Sequence, residues 1–289
     1  DEKTKKLIYD RKLEKGNGPA IYGLEVCKAM DLDKEFLDVA MAIFNGTEKV
    51  GEWRCATDPR RTADEYAVWL FELLRLAELD RQLISHAILA SVVPDASFNL
   101  IKFCRDHCKA EPLVIGDASC RLDLAVKTDR PAEVGADRLV NAIAAQTTYQ
   151  APAIVIDFGT ATTFDVVDGE GAYIGGIIAP GPNLSIEALH LAAAKLPQID
   201  IRPTDTIIGR NTVHAMQSGV FWGYVGLIDG LLTRVKQELG GDPVVIATGG
   251  LGRLFASHLD AIDHYDQLYL LGYKADSVDL KCNQDELKI

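Results

Sequence analysis

The amino-acid sequence predicts an α/β fold, and three observations lead to this class. Apolar runs of strand length recur along the chain, at residues 87–93, 153–156 and 244–247. Apolar residues repeat with helical periodicity at 63–79 and 136–149. Glycine-containing turns directly follow several of the strand-like runs. Strands that alternate with helices in this way are typical of an α/β architecture.

The first 41 residues differ in character from the rest of the chain, and we treat 1–41 as an atypical N-terminal segment. A charged opening stretch leads to a strand-like run at 7–9 and to a glycine- and proline-containing turn at 16–19. Spaced apolar residues then predict two short helices within 22–41.

Residues 42–130 predict a first lobe that begins with a β-hairpin. The turn Asn45-Gly46 separates an apolar run from an alternating one, which is a strong hairpin signal. The predicted elements are, in order, strands 42–44 and 50–55, helix 63–79, strand 87–93, helix 97–108 and strand 112–115.

Residues 131–266 predict a second lobe of the same style, and 267–289 an atypical C-terminal tail. The predicted elements are helix 136–149, strands 153–156, 163–167 and 173–178, helices 183–196 and 213–239, and strand 244–247.

Composition and charge restrict the classes of function. The 289 residues carry a formal net charge of −12, which disfavours a nucleic-acid partner because phosphate backbones attract clustered Lys and Arg. No apolar stretch approaches the roughly 20 residues that span a bilayer, and the start lacks a signal-peptide pattern. We therefore expect a cytoplasmic protein that contacts neither nucleic acid nor membrane.

The most informative segment is Asp157-Phe-Gly159-Thr160-Ala-Thr162-Thr163, which follows a buried strand. Its glycine permits close approach of a ligand, and the small hydroxyl residues leave backbone N–H groups available to phosphate oxygens. Asp157 is placed to hold a hydrated cation beside a transferring phosphate. The alternative is a plain hairpin with a polar turn.

A second candidate site opens the helix predicted at 136–149, where Gly135 precedes Asp137 and Arg138. The first turn of a helix collects anions, and a carboxylate there could accept a proton from an attacking hydroxyl. Arg138 could clamp a substrate or a phosphate. An early-helix Asp and a solvated Asp–Arg pair would look the same in sequence.

Three glycine-containing loops have weaker signals. Gly249 and Gly250 follow the strand 244–247, as in a loop that approaches a nucleotide, but many strand–helix turns use such a pair. The segment 175–181 is explained by close packing as readily as by a ligand. Residues 209–212 could bind substrate or cap the following helix, and capping is the simpler interpretation.

Taken in order, these segments resemble type III pantothenate kinases from about residue 42 to residue 266. The motifs that carry the resemblance are 57–66, Gly135-Ala-Asp-Arg-Leu-Val-Asn141, 157–163, Gly175-Gly-Ile-Ile-Ala-Pro-Gly181, 209–212 with 215–219, and Thr248-Gly-Gly250. The resemblance implies an actin-like ATPase (ribonuclease-H-like) fold with two lobes of mixed sheet and flanking helices. It also implies a homodimer that phosphorylates pantothenate at its primary hydroxyl with ATP, the first step of coenzyme A biosynthesis.

The resemblance also implies roles for individual residues. Asp137 would be the general base, with Gly135 and Arg138 at the substrate and Thr212 completing the pantothenate pocket of the neighbouring subunit. Asp157 would bind the monovalent cation (potassium or ammonium), and Mg²⁺ would accompany ATP. The ATP-contacting residues would be Gly159, Thr160, Thr162, Thr163, Gly249 and Gly250.

The chain departs from the family pattern at its start. Family members begin with an apolar strand that leads into Asp-x-Gly-Asn-Thr/Ser, a phosphate-binding loop whose Asp holds the metal. Here Asp38 is followed by no matching glycine, asparagine or hydroxyl, so the metal role is not assigned to it.

The segments 7–13 and 21–26 instead resemble the late part of the ATPase domain of MutS-type mismatch-repair proteins, without the Walker motifs. There are thus two hypotheses: an active kinase, or a catalytically impaired kinase-like protein that binds ligand or dimerises.

Overall fold

The structure, a computed structural model, describes residues 38–266 apart from 46, 47, 57, 59, 118, 119, 121 and 193–195. Most of the predicted segment 1–41, with its MutS-like resemblance, and the predicted tail 267–289 lie outside the described residues. The boundary between lobes at 130/131 stays a prediction.

The N-terminal half opens with the predicted hairpin, in which strand β1 (Asp38–Asn45) pairs antiparallel with β2 (Glu48–Ala56). Helix α1 (Ala63–Leu76) comes next, and its first turn is fixed by a reciprocal capping box between Thr62 and Glu65. The remaining elements are β3 (Ala87–Leu89), α2 (Pro94–Phe103), a π-helical turn (Cys104–Cys108) and β4 (Pro112–Val114), which runs parallel to β3.

Two sequence predictions in this half were wrong. Residues 38–41, assigned to a short helix, extend β1 instead, because they pair with the end of β2 as Val39 does with Cys55. The strand predicted at 87–93 ends at Leu89, since the Ser91 hydroxyl and the Val93 backbone hydrogen-bond each other in a local turn. Helix α2 then starts earlier than predicted, with Pro94 in its first turn.

The C-terminal half contains one mixed five-stranded sheet in the order β7-β6-β5-β8-β9. β5 pairs antiparallel with β6 and parallel with β8, β7 pairs antiparallel with β6, and β9 pairs parallel with β8. The elements are α3 (Ala136–Tyr149), β5 (Ala153–Phe158), β6 (Ala161–Val167), β7 (Tyr173–Pro180), α4 (Pro182–Ala192), α5 (Thr212–Leu239), β8 (Val244–Thr248), α6 (Gly252–Ala256) and β9 (His264–Tyr265). The predicted α/β fold of mixed sheet with flanking helices is confirmed.

Strand β5 lies at the centre of this half, and both of its faces are covered. One face, through Ile156 and Phe158, packs against α5 and α6, where Phe158, Phe221 and Phe255 stack. The other face, through Val155, packs against alanines of α3, whose small side chains let the helix approach the sheet closely. This explains why the sequence of β5 is a continuous apolar run rather than an alternating one.

The N-terminal half repeats only part of this arrangement. Like the C-terminal half, it contains an antiparallel hairpin (β1–β2) and a parallel pair (β3–β4), yet the two pairs form separate sheets. Both pack on the same helical core of α1 and α2, β1 through Met41 and Ile43, and β3 through Ala87 and Leu89. Within residues 38–266, no described strand joins β1 to β3 as β5 joins β6 to β8. We call this position the strand gap.

None of the helices in the described part of the chain is both long enough and apolar enough to span a membrane.

Candidate active site

Asp157 lies at the carboxyl end of β5, in register with Thr163 on β6 and with Thr248 on β8. Its Oδ2 accepts a hydrogen bond of 3.2 Å from Nδ2 of Asn141 on α3. Gly249 follows Thr248 with a φ of +86°, and a Cβ there would lie 2.4 Å from Oδ1 of Asp157. Position 249 therefore needs glycine both for its backbone conformation and for the space beside the carboxylate.

The Asp157 carboxyl has an electrostatic environment suited to a cation. Burial and, to a smaller extent, the negative charge of Asp137 raise its pKa to about 6, against the opposing effect of the hydrogen bond from Asn141. The Oδ1 of Asn141 is buried and, among the described residues, has no hydrogen-bond partner. A cation beside Asp157 would supply the missing positive charge and could take the orphaned amide oxygen as a ligand or through water.

The described residues contain no group of three or more His, Cys, Asp or Glu side chains that could hold a metal ion. A metal at Asp157 would therefore complete its coordination with water, backbone carbonyls or substrate oxygens. Both Mg²⁺ and the alkali cations accept such oxygen ligands, so the site fits a hydrated cation rather than an all-carboxylate cage.

Asp137 lies in the first turn of α3 and is exposed to solvent. Its Oδ1 accepts a 2.9 Å hydrogen bond from the backbone N–H of Arg138. A Cβ at Gly135 would lie 2.5 Å from the same oxygen, so the glycine that precedes the helix leaves room for the carboxylate. An exposed, oriented carboxylate of this kind can accept a proton from a bound hydroxyl.

The side chain of Arg138 is largely buried and forms an ion pair with Asp165 of β6. Its Nε donates to Oδ1 of Asp165 at 2.6 Å, and its Nη2 donates to the carbonyl of Phe164 at 3.3 Å. The hydroxyl of Tyr173 also donates to Oδ1 of Asp165, at 3.1 Å. Burial raises the pKa of Asp165 to about 7, against the opposing effect of Arg138.

The threonines after Asp157 divide between the two faces of the sheet. Gly159 and Thr160 form the turn between β5 and β6. Thr163 shares the α3 face with Asp157, and its hydroxyl donates to Oδ2 of Asp165 at 3.4 Å. Thr162 is fully buried on the opposite face. The segment is thus a hairpin, as the plainer interpretation had it, but one that carries Asp157, Thr163 and Asp165 on a common face.

The loop before α5 is placed apart from this cluster. The side chain of Asn211 accepts from the backbone N–H of His214 at 2.9 Å and caps the helix, which confirms the capping interpretation. Thr212 lies at the start of α5, the helix on the other face of β5. It lines a cavity of about 870 Å³ between α4 and α5 together with Ser185, Leu189, Met216 and Tyr224.

The structure therefore brings Asp137, Arg138, Asp157 and Thr163 to the α3 face of the C-terminal sheet, with Gly249 at its edge. The neighbours missed by sequence reasoning are Asn141, Asp165 and Tyr173. One feature of the sequence does indicate Asp165: it is the single charged residue in the otherwise apolar run 164–167, and a charge in a buried strand is normally paired.

Comparison with known proteins gives a consistent family. A family model for type III pantothenate kinases matches residues 38–234. A type III pantothenate kinase of Paramagnetospirillum magneticum is 56% identical over 235 residues, which cover 81% of this chain and 90% of the relative. One of Rhodospirillum centenum is 54% identical over 239 residues, covering 80% of this chain and 92% of the relative.

Solved structures are similar at lower identity. A putative Baf family transcriptional activator from Campylobacter jejuni has a TM-score of 0.47 at 19% identity, covering 77% of this chain and 87% of its own. An activator of 2-hydroxyisocaproyl-CoA dehydratase from Clostridium difficile with bound ADPNP has a TM-score of 0.47 at 14% identity, covering 88% of this chain and 95% of its own.

Proposed function

The chain belongs to the type III pantothenate kinase family, and we propose that the cluster on the α3 face of its C-terminal sheet is the catalytic site. The function of the family is ATP-dependent phosphorylation of pantothenate to 4'-phosphopantothenate, the first step of coenzyme A biosynthesis. The observation that carries the assignment to this cluster is the convergence of Asp137, Arg138 and Asp157 around the first turns of α3.

Asp137 is the general base in this proposal. Its carboxylate is exposed and held by the N–H of Arg138, so it is oriented but open to a substrate hydroxyl. It would take the proton of the primary hydroxyl of pantothenate as the oxygen attacks the γ-phosphorus of ATP, and ADP would leave. Gly135 and Arg138 would line the pantothenate pocket.

Asp157 would hold the monovalent cation, potassium or ammonium, near the phosphates, and Mg²⁺ would arrive with ATP. Support comes from its raised pKa and from the orphaned oxygen of Asn141 beside it. A bound cation would neutralise charge that develops on the transferring phosphoryl group.

The ATP-binding residues of the proposal are Gly159, Thr160, Thr162, Thr163, Gly249 and Gly250. Thr163 would use its hydroxyl, because it lies on the Asp157 face. Thr162 would contribute through the backbone, since its side chain is buried on the other face. Gly249 and Gly250 would lie near the adenosine, where a chain without side chains allows close approach.

We also propose a homodimer, in which Thr212 of the partner subunit completes the pantothenate pocket. Thr212 begins α5, which packs on one face of the sheet, whereas Asp137 lies in α3, which packs on the other, and this supports a role for Thr212 in a neighbouring subunit. Exposed apolar side chains near the cavity, Leu191, Ile207, Ile208 and Val213, offer a surface for the partner. Sedimentation analysis should give twice the chain mass.

The remaining proposals concern location and the ends of the chain. A cytoplasmic location is supported by Cys104 and Cys108, which are thiols rather than disulfide partners. We also propose lobes at 42–130 and 131–266, as the resemblance to the family implies. The family match starts at residue 38, which supports treating most of 1–41 as foreign to the kinase, as its resemblance to MutS-type proteins suggests.

The deciding experiment measures ADP release with ATP, Mg²⁺, potassium and pantothenate, for the chain and for Asp137→Asn. Turnover that depends on pantothenate and is abolished by the substitution supports the proposal. Turnover that survives the substitution would remove Asp137 from the role of base.

A second candidate is a catalytically impaired kinase-like protein that binds ligand or dimerises, and it is favoured by the lack of the Asp-x-Gly-Asn-Thr/Ser motif after Asp38. Among the described residues, the N-terminal half has no counterpart of β5 and hence none of a loop that would come after it. Saturable binding of ATP or pantothenate without ADP release would support this candidate, whereas pantothenate-dependent turnover would exclude it.

A further inference from the structure

We propose that Asp165 is a positioning residue for pantothenate binding, which fixes the guanidinium of Arg138 so that one of its edges stays open to the substrate. This inference rests on the proposed function, because it takes Arg138 to be at the pantothenate pocket. Asp165 itself is fully buried and so would act through Arg138 rather than by contact with the substrate.

The guanidinium of Arg138 is held on three sides. Nε is bonded to Asp165 at 2.6 Å, Nη2 is bonded to the Phe164 carbonyl at 3.3 Å, and the carbon of the group lies 5.8 Å from the ring centroid of Tyr173. Within the described part of the chain, Nη1 makes no hydrogen bond to protein. With 15% of its side chain exposed, Arg138 can therefore present Nη1 to an anionic or carbonyl oxygen of a ligand.

The carboxylate of Asp165 is itself fixed from the other side. Tyr173 donates to Oδ1 at 3.1 Å, and Thr163 donates to Oδ2 at 3.4 Å. Thr163 belongs to the segment proposed to bind the phosphates of ATP. Asp165 therefore contacts both the Arg138 guanidinium, which would bind pantothenate, and the Thr163 hydroxyl, which would bind ATP. A side chain could not replace Gly176 without disturbance, since a Cβ there would overlap the backbone carbonyl of Phe164, which accepts from Arg138, and would lie 2.6 Å from Nη2 of Arg138.

Stability alone does not account for this arrangement. A buried ion pair contributes little net stability, because the cost of removing both charges from water offsets their attraction. Its clearer effect is geometric, since a guanidinium bonded through Nε and Nη2 can no longer rotate freely about its last side-chain bonds. Such pre-orientation lowers the entropy lost when a ligand binds.

The test is a double-mutant cycle on pantothenate affinity, measured by calorimetry in the presence of a non-hydrolysable ATP analogue. Asp165→Asn is nearly isosteric and removes the charge that holds Arg138, so the Kd for pantothenate should rise about tenfold. In an Arg138→Lys background, the same substitution should change the Kd by less than about twofold, because the group it positions is gone. Asp260→Asn, which removes an exposed carboxylate elsewhere, should leave the Kd unchanged.

Equal effects of Asp165→Asn in the two backgrounds would overturn the inference, because a purely structural role is independent of Arg138. If Arg138→Lys binds pantothenate as the unmodified chain does, the proposed role of Arg138 fails as well. If only Arg138→Lys weakens binding, the role of Arg138 stands and the inference about Asp165 alone fails.

Tyr173→Phe keeps the measurement informative if Asp165→Asn does not fold. It removes one hydrogen bond to Asp165 and keeps the ring beneath Arg138, so the Kd should rise about two- to threefold. No change in that variant would contradict the inference. Where turnover can be measured, Asp165→Asn should raise the KM for pantothenate more than it lowers kcat.

Discussion

Gly249 and Asp157 lie against each other at the carboxyl edge of the C-terminal sheet, at a separation that admits no side chain on the glycine. They meet because β5 and β8 are parallel and Asp157 is aligned with Thr248, so the residue after Thr248 arrives beside the carboxylate. A Cβ on Gly249 would also approach the backbone of Phe158 to 2.8 Å. The edge is thus shaped around one carboxyl group.

Gly249→Ala should destabilise the fold by roughly 2–4 kcal/mol, because it combines a positive φ with a clash against backbone. The matched control is Gly250→Ala, whose Cβ would meet nothing within 4 Å. Urea unfolding of the two variants measures the difference directly. Equal urea midpoints for Gly249→Ala and Gly250→Ala would mean that the backbone around position 249 adjusts easily and that the space beside Asp157 is not restricted.

Asp157→Asn should stabilise the protein at high pH. The folded-state pKa of Asp157 is raised to about 6 from an unfolded value of 3.8, so the folded chain holds the proton more tightly. The stability that this provides is fully present below about pH 4 and is lost as the pH rises through about 6. Asn cannot ionise, so the variant keeps this stability at high pH. Its free energy of unfolding should therefore exceed that of the unmodified chain by roughly 1–3 kcal/mol at pH 8.

The measurement is denaturant unfolding at pH 4 and pH 8, with chelator present and tetramethylammonium as the only cation. Added potassium or Mg²⁺ should stabilise the unmodified chain at pH 8 and leave Asp157→Asn unaffected, since a cation replaces the proton as the partner of the carboxylate. A stability difference that is the same at both pH values would argue against a raised pKa.

Gly135→Ala should lower turnover with little loss of stability. The new methyl group would displace Oδ1 of Asp137 from its present position, and a shift of about 1 Å in a catalytic group can cost about a hundredfold in rate. Gly169→Ala, in a turn where a Cβ meets nothing within 4 Å, serves as the control. Steady-state kinetics should show the effect in kcat; unchanged kcat would mean that the carboxylate of Asp137 is not confined by Gly135.

A strand supplied to the strand gap should raise both stability and turnover. The graft replaces residues 1–37 with an apolar strand that ends in Asp-x-Gly and a short turn into β1, as β5 leads into β6. Restored phosphate donors and a carboxylate are expected to increase kcat at least about a hundredfold. The same graft with Ala for the new Asp should gain the stability without the turnover. If neither graft differs from the unmodified chain, the missing motif does not limit the stability or the turnover of the protein.

The central elements could be predicted from sequence because their signals are local. β5 and α3 have continuous apolar or strongly periodic patterns, and their predicted ranges agree with the structure closely. The misassigned residues 38–41 carry no local strand signal and are extended because β2 pairs with them. The end of β3 was misplaced because a single hydroxyl, that of Ser91, decides it.

The site divides in the same way. Asp137 and Asp157 were found because each belongs to a local motif with glycine at a fixed offset. Asp165 was missed because its importance depends on a partner in another element, and Arg138 is 27 positions away in the chain. Pairings of that kind are set by the sheet register and by the helix that packs on it, neither of which a local pattern contains.

The strand gap also bears on how the protein behaves in concentrated solution. Among the described strands, β1 and β3 each pair on one side alone. A strand edge that stays unpaired can accept a strand of another molecule through its backbone donors and acceptors. Mutual repulsion from a net charge of −12 opposes such encounters, and it acts over only about 10 Å in 0.1 M salt. Colloidal stability should therefore decline as salt is added, and dilute, low-salt storage should keep the molecules apart.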